Sequence, residues 1–391
     1  MELQKYVRDV YSCVRCGTCM RKYNLEGVRG VCPVREHSSG FEPTYSRGRN
    51  VVARGILEGY LEYTPALAKV LYECTLCANC RQQCGAKDPD TGRPRIDVPA
   101  ITKAMRADLF AAGVEVPEGV KKFGENIERT YNILGAPMEE RAGWLSPDIE
   151  VTPDANVVYF PGCLTAYRAP EVAQATARIL NKAGIQFSIL GAEEYCCGDP
   201  LIMTGQLQLA RGVARHNYEL LKNKSIITTC AGCYRTFREE YPKLLGKEFR
   251  LRSRHMVGVL VELIGAGKIK FNGAIKGKVT YHDPCELGRE LGVYDQPRQV
   301  IRSIPGIELV EMYRRRENAW CCGGGGGLKA VNPEMALEIA QDRVEEALAT
   351  GAQWIVSACP SCKTNIRDAI QATGAELQVM DITELVAASL V

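Results

Sequence analysis

The sequence predicts an α-helical N-terminal domain followed by two homologous α/β units with mostly parallel sheets. Three observations predict it: cysteine triplets confined to the first quarter of the chain, a five-cysteine pattern that occurs twice in the rest, and short β-rich runs alternating with helical faces around that pattern. The boundaries expected are 1–115 for the helical domain, 116–150 for a helical linker, and 151–272 and 273–391 for the two repeats. At 391 residues, 46% hydrophobic and 24% charged, the chain has ordinary globular composition and length for more than one core. Its 49 basic and 46 acidic residues leave a net charge of +3, no footprint for nucleic acid or an anionic membrane surface. The run Arg314-Arg315-Arg316 reads as a solvated turn. The opening stretch lacks an apolar export core, and the best apolar run, 257–267, is short and broken by Glu262. The expectation is a cytoplasmic chain without a transmembrane segment of its own.

Eighteen cysteines are the informative count. In a long chain without an export signal, disulfide stapling is the weaker explanation, and cysteines at tight spacing point to metal. None is left over once the spacings are grouped. Cys13, Cys16 and Cys19 are followed by Cys32-Pro33, and Cys74, Cys77 and Cys80 by Cys84. A triplet at two-residue intervals wraps a loop around three irons of a cubane, and in two-cluster ferredoxins the fourth ligand comes from the opposite motif. That rule assigns Cys13, Cys16, Cys19 and Cys84 to one cubane [4Fe-4S] cluster, and Cys74, Cys77, Cys80 and Cys32 to the other. Paired zinc sites would ask instead for two-cysteine pairs. Gly85 stands where a proline usually closes such a run. Residues 34–73 have helical character, with Ala53, Ile56, Leu57 and Tyr60 on one face. Small ferredoxins join their motifs by β-turns, so this insert implies the all-helical two-cluster domain of electron-transfer subunits. Ser46-Arg47-Gly48-Arg49 is either a cap that offsets cluster charge or a solvated turn.

The other ten cysteines form an internal repeat. One copy has Cys163, Cys196-Cys197-Gly198 and Cys230-x2-Cys233; the other has Cys285, Cys321-Cys322-Gly323 and Cys359-x2-Cys362. The first intervals are 33 and 36 residues, the second 33 and 37. Runs of β character precede Cys163, Cys230, Cys285 and Cys359, so these cysteines should sit just past strand ends. Pro170 opens a helix with Ala173, Ala177 and Leu180 on a face. Asn332-Pro333-Glu334 opens another, with Ala336, Ile339, Ala340, Ala347 and Leu348 on its apolar side and Gly351 past its end. Ligand sites of such parallel sheets lie beyond the carboxyl ends of the strands.

On these motifs the chain resembles the D-subunit family of heterodisulfide reductase, which is similar to the C and B subunits of the soluble enzyme fused into one chain. The resemblance covers essentially the whole sequence, including linker residues Asn126, Glu139-Glu140-Arg141 and Trp144-Leu145. It implies a helical ferredoxin-like domain and two CCG domains, each holding a noncubane [4Fe-4S] cluster on five cysteines: Cys163, Cys196, Cys197, Cys230 and Cys233 in the first, and Cys285, Cys321, Cys322, Cys359 and Cys362 in the second. It further implies reduction of a heterodisulfide of the CoM-S-S-CoB type, or a related disulfide, by paired one-electron transfers, the two cubanes serving as a wire. The electron donor would be a partner subunit, a b-type cytochrome or a flavoprotein, holding the chain at the cytoplasmic face of the membrane. The same architecture occurs in iron-sulfur relay subunits of flavin-linked hydroxyacid and glycerol-3-phosphate dehydrogenases and of electron-transfer-flavoprotein quinone reductases. A non-catalytic relay is therefore the alternative, although those relatives often lack some of the CCG cysteines, and here both sets are complete.

The five-glycine run 323–327 would let backbone approach a cluster or substrate, and it fails the phosphate-loop pattern because no Ser or Thr follows Lys329. His282-Asp283, next to Cys285, reads as a packing histidine ahead of a proton or hydrogen-bond donor, and His255 as a structural residue at a helix start. Lys329 and Arg168 read as surface charges ahead of anchors for an anionic substrate.

Overall fold

The structure, a computed structural model, describes residues 1–21 and 30–391. The first part is built from helices, chiefly Ser46–Leu57, Pro65–Tyr72 and Val98–Ala111. Thr64 accepts from the Leu67 amide at 3.2 Å and Asp97 from the Ala100 amide at 3.0 Å, each capping a helix that has proline in its first turn. Ala53, Ile56, Leu71, Ile101 and Met105 meet in one core. The helical face ends before Tyr60, which is 81% exposed. Gly59 turns left-handed at φ +76° and the Tyr60 amide returns to the Gly55 carbonyl at 2.8 Å, a Schellman stop that the periodicity alone did not show. The Ser46–Arg49 stretch is the buried first turn of Ser46–Leu57, with Arg49 1% exposed, and is not a solvated turn.

After a connecting helix, Glu118–Thr130, and a 3-10 turn, Met138–Ala142, come two parallel sheets. The first holds β1 (Val157–Tyr159), β2 (Ser225–Thr228) and β3 (Arg252–His255) in that order, with Val157 opposite Ser225. The second holds β4 (Gly277–His282), β5 (Ile307–Leu309), β6 (Trp354–Ser357) and β7 (Gln378–Asp381) in the order β5-β4-β6-β7, with Val279 opposite Trp354. β4, β6 and β7 thus answer β1, β2 and β3, while the counterpart of β5 is reduced to a parallel bridge between Val158 and Ser188. The correspondence extends to capping. His255 ends β3 and accepts from the Val257 amide at 3.2 Å; Asp381 ends β7 and accepts from the Thr383 amide at 2.9 Å. Different residues hold the same place because each offers a short acceptor at a helix start.

The two repeats share a single core. Tyr159, Leu180, Ile227 and Leu260 of the first pack in one cluster with Tyr281, Val344, Ile355 and Leu385 of the second. Helix Pro170–Lys182 buries Ala173, Ala177 and Leu180 as its spacing predicts. Helix Pro333–Leu348, capped by Asn332, buries Ala336, Ile339, Ala340 and Ala347, but Leu348 at its last position is 40% exposed. The reading of Arg314-Arg315-Arg316 is corrected more sharply. Arg315 is exposed, but Arg314 is buried, its guanidinium 3.8 Å from the Trp320 ring and paired with Glu346, and the Arg316 amide donates to Asp283 at 2.7 Å. Acceptors distant in the chain, invisible in a charge run, draw Arg314 and the Arg316 backbone inward.

One side chain joins the three parts. Arg106 is fully buried and its guanidinium donates to the carbonyls of Leu71 and Cys74 in the helical domain, Met203 in the first repeat and Gly326 in the second, the last three at 2.8 Å. Gly326 sits at φ +63°, and a Cβ there would lie 2.5 Å from the Cys74 carbonyl oxygen, so the glycine run lets the backbones meet. Arg106→Gln should lower the unfolding free energy by about 3 kcal/mol or more, since each buried carbonyl left without a donor costs about 1–3 kcal/mol. Anaerobic urea denaturation measures it, with Arg178→Gln, at an exposed ion pair, expected to leave the midpoint in place.

Candidate metal centres

The strand ends deliver the repeat cysteines to one place. Cys163 follows β1, Cys230 follows β2, Cys285 follows β4 and Cys359 follows β6. In the paired motifs, Gly198 (φ +92°) and Gly323 (φ +77°) curl the chain so that their amides point at Cys196 Sγ, 3.4 Å, and Cys321 Sγ, 3.3 Å. At Gly162, φ +79°, a Cβ would stand 2.9 Å from Cys233 Sγ, so glycine admits the loop that carries Cys163. All ten repeat cysteines line one cavity, with about 1070 Å³ of space free of atoms, together with Gly324, Gly325, Gly326 and Gly327. The two sets meet across it, the side chains of Cys230 and Cys359 lying within hydrogen-bonding reach.

The N-terminal motifs form two smaller cavities. Cys13, Cys16, Cys19 and Cys84 surround one, and Cys32, Cys74, Cys77 and Cys80 surround the other; Cys80 borders both. Both loops bend the same way. Arg15 and Gly17 in the first, and Leu76 and Ala78 at the matching places of the second, all have φ between 54° and 80°. Three of these are not glycine, a strain that persists where surrounding structure enforces it and that turns amides toward a shared anion. The outer set is open to solvent at Cys16, while the inner set lies against the second repeat, where the Cys77 and Cys321 side chains touch. Burial pushes the thiols of Cys19 and Cys32 up to about 11, and those of Cys80 and Cys285 well above the usual range. Thiolates form in such places when a metal offsets the desolvation, so the donor sets fit iron.

A cysteine-rich domain model matches residues 157–238 and 279–367, and a 4Fe-4S dicluster domain model matches residues 9–87. The chain is similar to the D subunit of the dihydromethanophenazine:CoB–CoM heterodisulfide reductase of Methanosarcina barkeri, at 37% identity over 98% of this chain and 94% of that one. The chain belongs to the D-subunit family of heterodisulfide reductase. It is an iron-sulfur electron-transfer protein of that type, related to named oxidoreductases. It is also similar to the EtfAB:quinone oxidoreductase of Syntrophomonas wolfei, at 30% identity over 97% of this chain and 58% of that one. The B subunit of the fumarate reductase (CoM/CoB) of Methanothermobacter marburgensis is 30% identical over 97% of this chain and 72% of that one. A crystal structure of a hypothetical protein from Helicobacter pylori shares the fold, with TM-score 0.60 at 8% identity, covering 91% of this chain and 70% of that one. No helix among the described residues is long and apolar enough to cross a membrane.

Charged side chains of this D-subunit family member surround the central cavity in a pattern the sequence did not disclose. Asp199 and Glu286 line it, and the buried Arg235 binds them at 2.8 and 2.9 Å and also pairs with Glu240. Burial, reinforced by Asp199, pushes the Glu286 carboxyl up to about 8 against the pull of Arg235. Behind Cys163, Arg141 and Glu194 form a buried pair at 2.5 Å, and Glu194 accepts from the Gly162 amide at 3.0 Å. His282 is buried and Nδ1 accepts from Arg343 at 3.1 Å, as a packing histidine should, yet a ring nitrogen also lies within 4.8 Å of the sulfurs of Cys322 and Cys362. His255 is the helix cap already described. Lys329 and Arg168 are exposed surface charges, and Lys329, paired with Asp368, borders the cavity. Adjacency could have flagged Glu286 after Cys285 and Asp199 after Gly198; Arg235 and Arg289 had no such signal. Arg235→Gln leaves three carboxylates without their common counter-ion, and a loss of about 3–5 kcal/mol in unfolding free energy is expected by anaerobic urea denaturation. Lys103→Gln, which removes only a longer contact to Glu240 at 3.5 Å, should cost much less.

Proposed function

We propose that this chain is the component that opens a disulfide, a heterodisulfide of the CoM-S-S-CoB type or a related one, with electrons arriving singly at the two repeats. The observation that carries the reading is the single cavity lined by all ten repeat cysteines. Converting R–S–S–R′ to two thiols takes two electrons and two protons, and a site that presents two equivalent cysteine sets to one space matches a bond with two equivalent ends. Cys163, Cys196, Cys197, Cys230 and Cys233 would hold one noncubane [4Fe-4S] cluster, and Cys285, Cys321, Cys322, Cys359 and Cys362 the other. Cys13, Cys16, Cys19 and Cys84, and Cys32, Cys74, Cys77 and Cys80, would hold two cubane clusters. When bound, these groups supply one-electron chemistry. The protein contributes a cavity whose walls are mostly apolar and a glycine run that leaves room beside Cys322. The electron donor is a partner subunit, a b-type cytochrome or a flavoprotein, docked on the cytoplasmic side of the membrane.

A second reading, a relay with no disulfide chemistry of its own, is favoured by the similarity to the EtfAB:quinone oxidoreductase. Two measurements separate the readings. Anaerobically purified protein should carry about sixteen irons, four per site, with matching acid-labile sulfide; stoichiometric zinc in either repeat would sink the paired-site reading. Partial oxidation in the presence of one candidate product thiol should give a thiol-dependent paramagnetic signal. That signal and disulfide reduction should be lost in Cys197→Ser and Cys322→Ser, while the N-terminal cubane spectra persist. Indifference to every thiol, with electron passage to a quinone intact, favours the relay.

A further inference from the structure

Among the described residues eight arginines are buried: Arg49, Arg106, Arg141, Arg235, Arg289, Arg298, Arg314 and Arg343. Five of them pair with carboxylates, Arg141 with Glu194, Arg235 with Asp199, Glu240 and Glu286, Arg298 with Asp283 and Glu311, and Arg314 and Arg343 with Glu346. Among the described residues Arg49, Arg106 and Arg289 have no carboxylate partner. These three share one location. Arg49 lines the inner cysteine cavity, Arg106 donates to the Cys74 carbonyl at 2.8 Å, and Arg289 donates to the Cys77 carbonyl at 2.6 Å. Arg289 reaches across from the second repeat, where it also holds the Ala319 carbonyl at 2.7 Å. Two of the guanidiniums keep buried nitrogens without a partner, Arg49 Nε and Arg289 Nη2. Arg289 faces the sulfurs of Cys77, Cys285 and Cys321, and Arg49 that of Cys32. Glu73 feels the charge of Arg49, yet the two form no ion pair among the described residues.

A buried cation without a counter-ion is among the most costly features a protein can carry, and it persists where an anion completes it. We propose that Arg49, Arg106 and Arg289 are fixed counter-ions to the inner cubane and make it the electron sink of the N-terminal pair. The proposal rests on the reading that Cys32, Cys74, Cys77 and Cys80 hold a cluster. Reducing a cluster adds negative charge, which burial disfavours, so burial alone makes the inner site harder to reduce than the open outer one. Three unscreened positive charges reverse that order. Among the described residues the outer site has no buried equivalent: Arg15 and Arg47, which border it, are exposed and partly exposed, and Arg47 is spent on Glu42 at 2.7 Å, so solvent screens both. An electron that enters by the outer site then settles on the inner one, held against Cys321 of the second repeat, and the wire loads in one direction. Arg106 and Arg289 act as positioning residues as well, since each ties a cysteine-loop carbonyl of the inner site to the repeats.

The test is a potentiometric titration of the anaerobic holoprotein followed by electron paramagnetic resonance, with Cys16→Ser and Cys80→Ser to assign the two cubane signals. The inner cluster should take the first electron, with at least a tenfold preference over the outer one, equivalent to 59 mV for a one-electron couple. Arg289→Met and Arg49→Met should each move the distribution about tenfold toward the outer cluster, while Arg289→Lys and Arg49→Lys keep the original order. A structural role alone would cost stability in all four variants and leave the potentials where they were. Equal potentials in the wild type, or an outer cluster that reduces first, overturn the proposal, and this holds even if a methionine variant fails to fold. If Cys80→Ser leaves both cubane signals untouched, the assignment of the inner cluster falls and the inference falls with it. If the assignment stands and the order is wrong, the charge argument alone fails.

Discussion

The arrangement of this chain depends on where a buried guanidinium can be satisfied. Arg106 has no anion beside it among the described residues and is completely enclosed, so its hydrogen bonds come from main-chain carbonyls gathered from three separate parts of the sequence. Burial pushes it down to about 10, which still leaves it charged at neutral pH. The charge is tolerable only while Leu71, Cys74, Met203 and Gly326 are held together, and they are held together because the charge is there. Tyr72 reinforces the knot, its ring 4.8 Å from the guanidinium and its hydroxyl donating to the Thr204 carbonyl at 2.8 Å. The helical domain is therefore locked against both repeats at the loop that carries Cys74.

A duplication explains the cavity but not its wiring. The repeats match in strand order, in the glycine after each cysteine pair and in the capped helices after β3 and β7, and they fuse through one core, which brings their strand ends face to face. The N-terminal domain breaks the equivalence. Cys77 touches Cys321 of the second repeat, and Arg81 and Arg289 add bonds to the same side, at Glu290 and at the Cys77 carbonyl. On the first repeat it contributes instead the Lys103–Glu240 contact, while the carbonyl knot of Arg106 reaches both repeats. Two sites that are alike by descent are thus unlike by position, one beside the inner cysteine set and one beyond it.

The features legible in the sequence were those whose cause is local. Cysteine spacing, strand runs before Cys163, Cys230, Cys285 and Cys359, and the Asn332-Pro333 helix start each follow from a few adjacent residues, and the structure carries them at those places. The glycine run was readable as an opportunity for close approach, although its partner, the Cys74 loop, lies about 250 residues earlier. What was not legible comes from distant pairings. Arg314 looked like part of a solvated run because Glu346 and Trp320 are not its neighbours in the chain. Arg49 looked ambiguous because the cavity it faces is closed by residues from Val31 to Pro99. Tyr60 and Leu348 failed for the opposite reason, a purely local one: each lies at or past the end of its helix, where periodicity no longer places a side chain.

The same physics joins cofactor and fold. Three buried arginines without carboxylates are unfavourable in a protein that holds nothing, and burial pushes the thiols of the N-terminal sets far above their usual range, so that they stay protonated. An iron-sulfur core would answer the arginines, since it would draw the protons off the thiols and leave a net anion beside the guanidiniums. The thiols alone cannot supply that charge, because with raised values they stay neutral and give a guanidinium nothing to balance. Binding energy at the inner site would then also be docking energy between the helical domain and the second repeat, because Arg289 spans that boundary, bonding the carbonyls of Cys77 and Ala319.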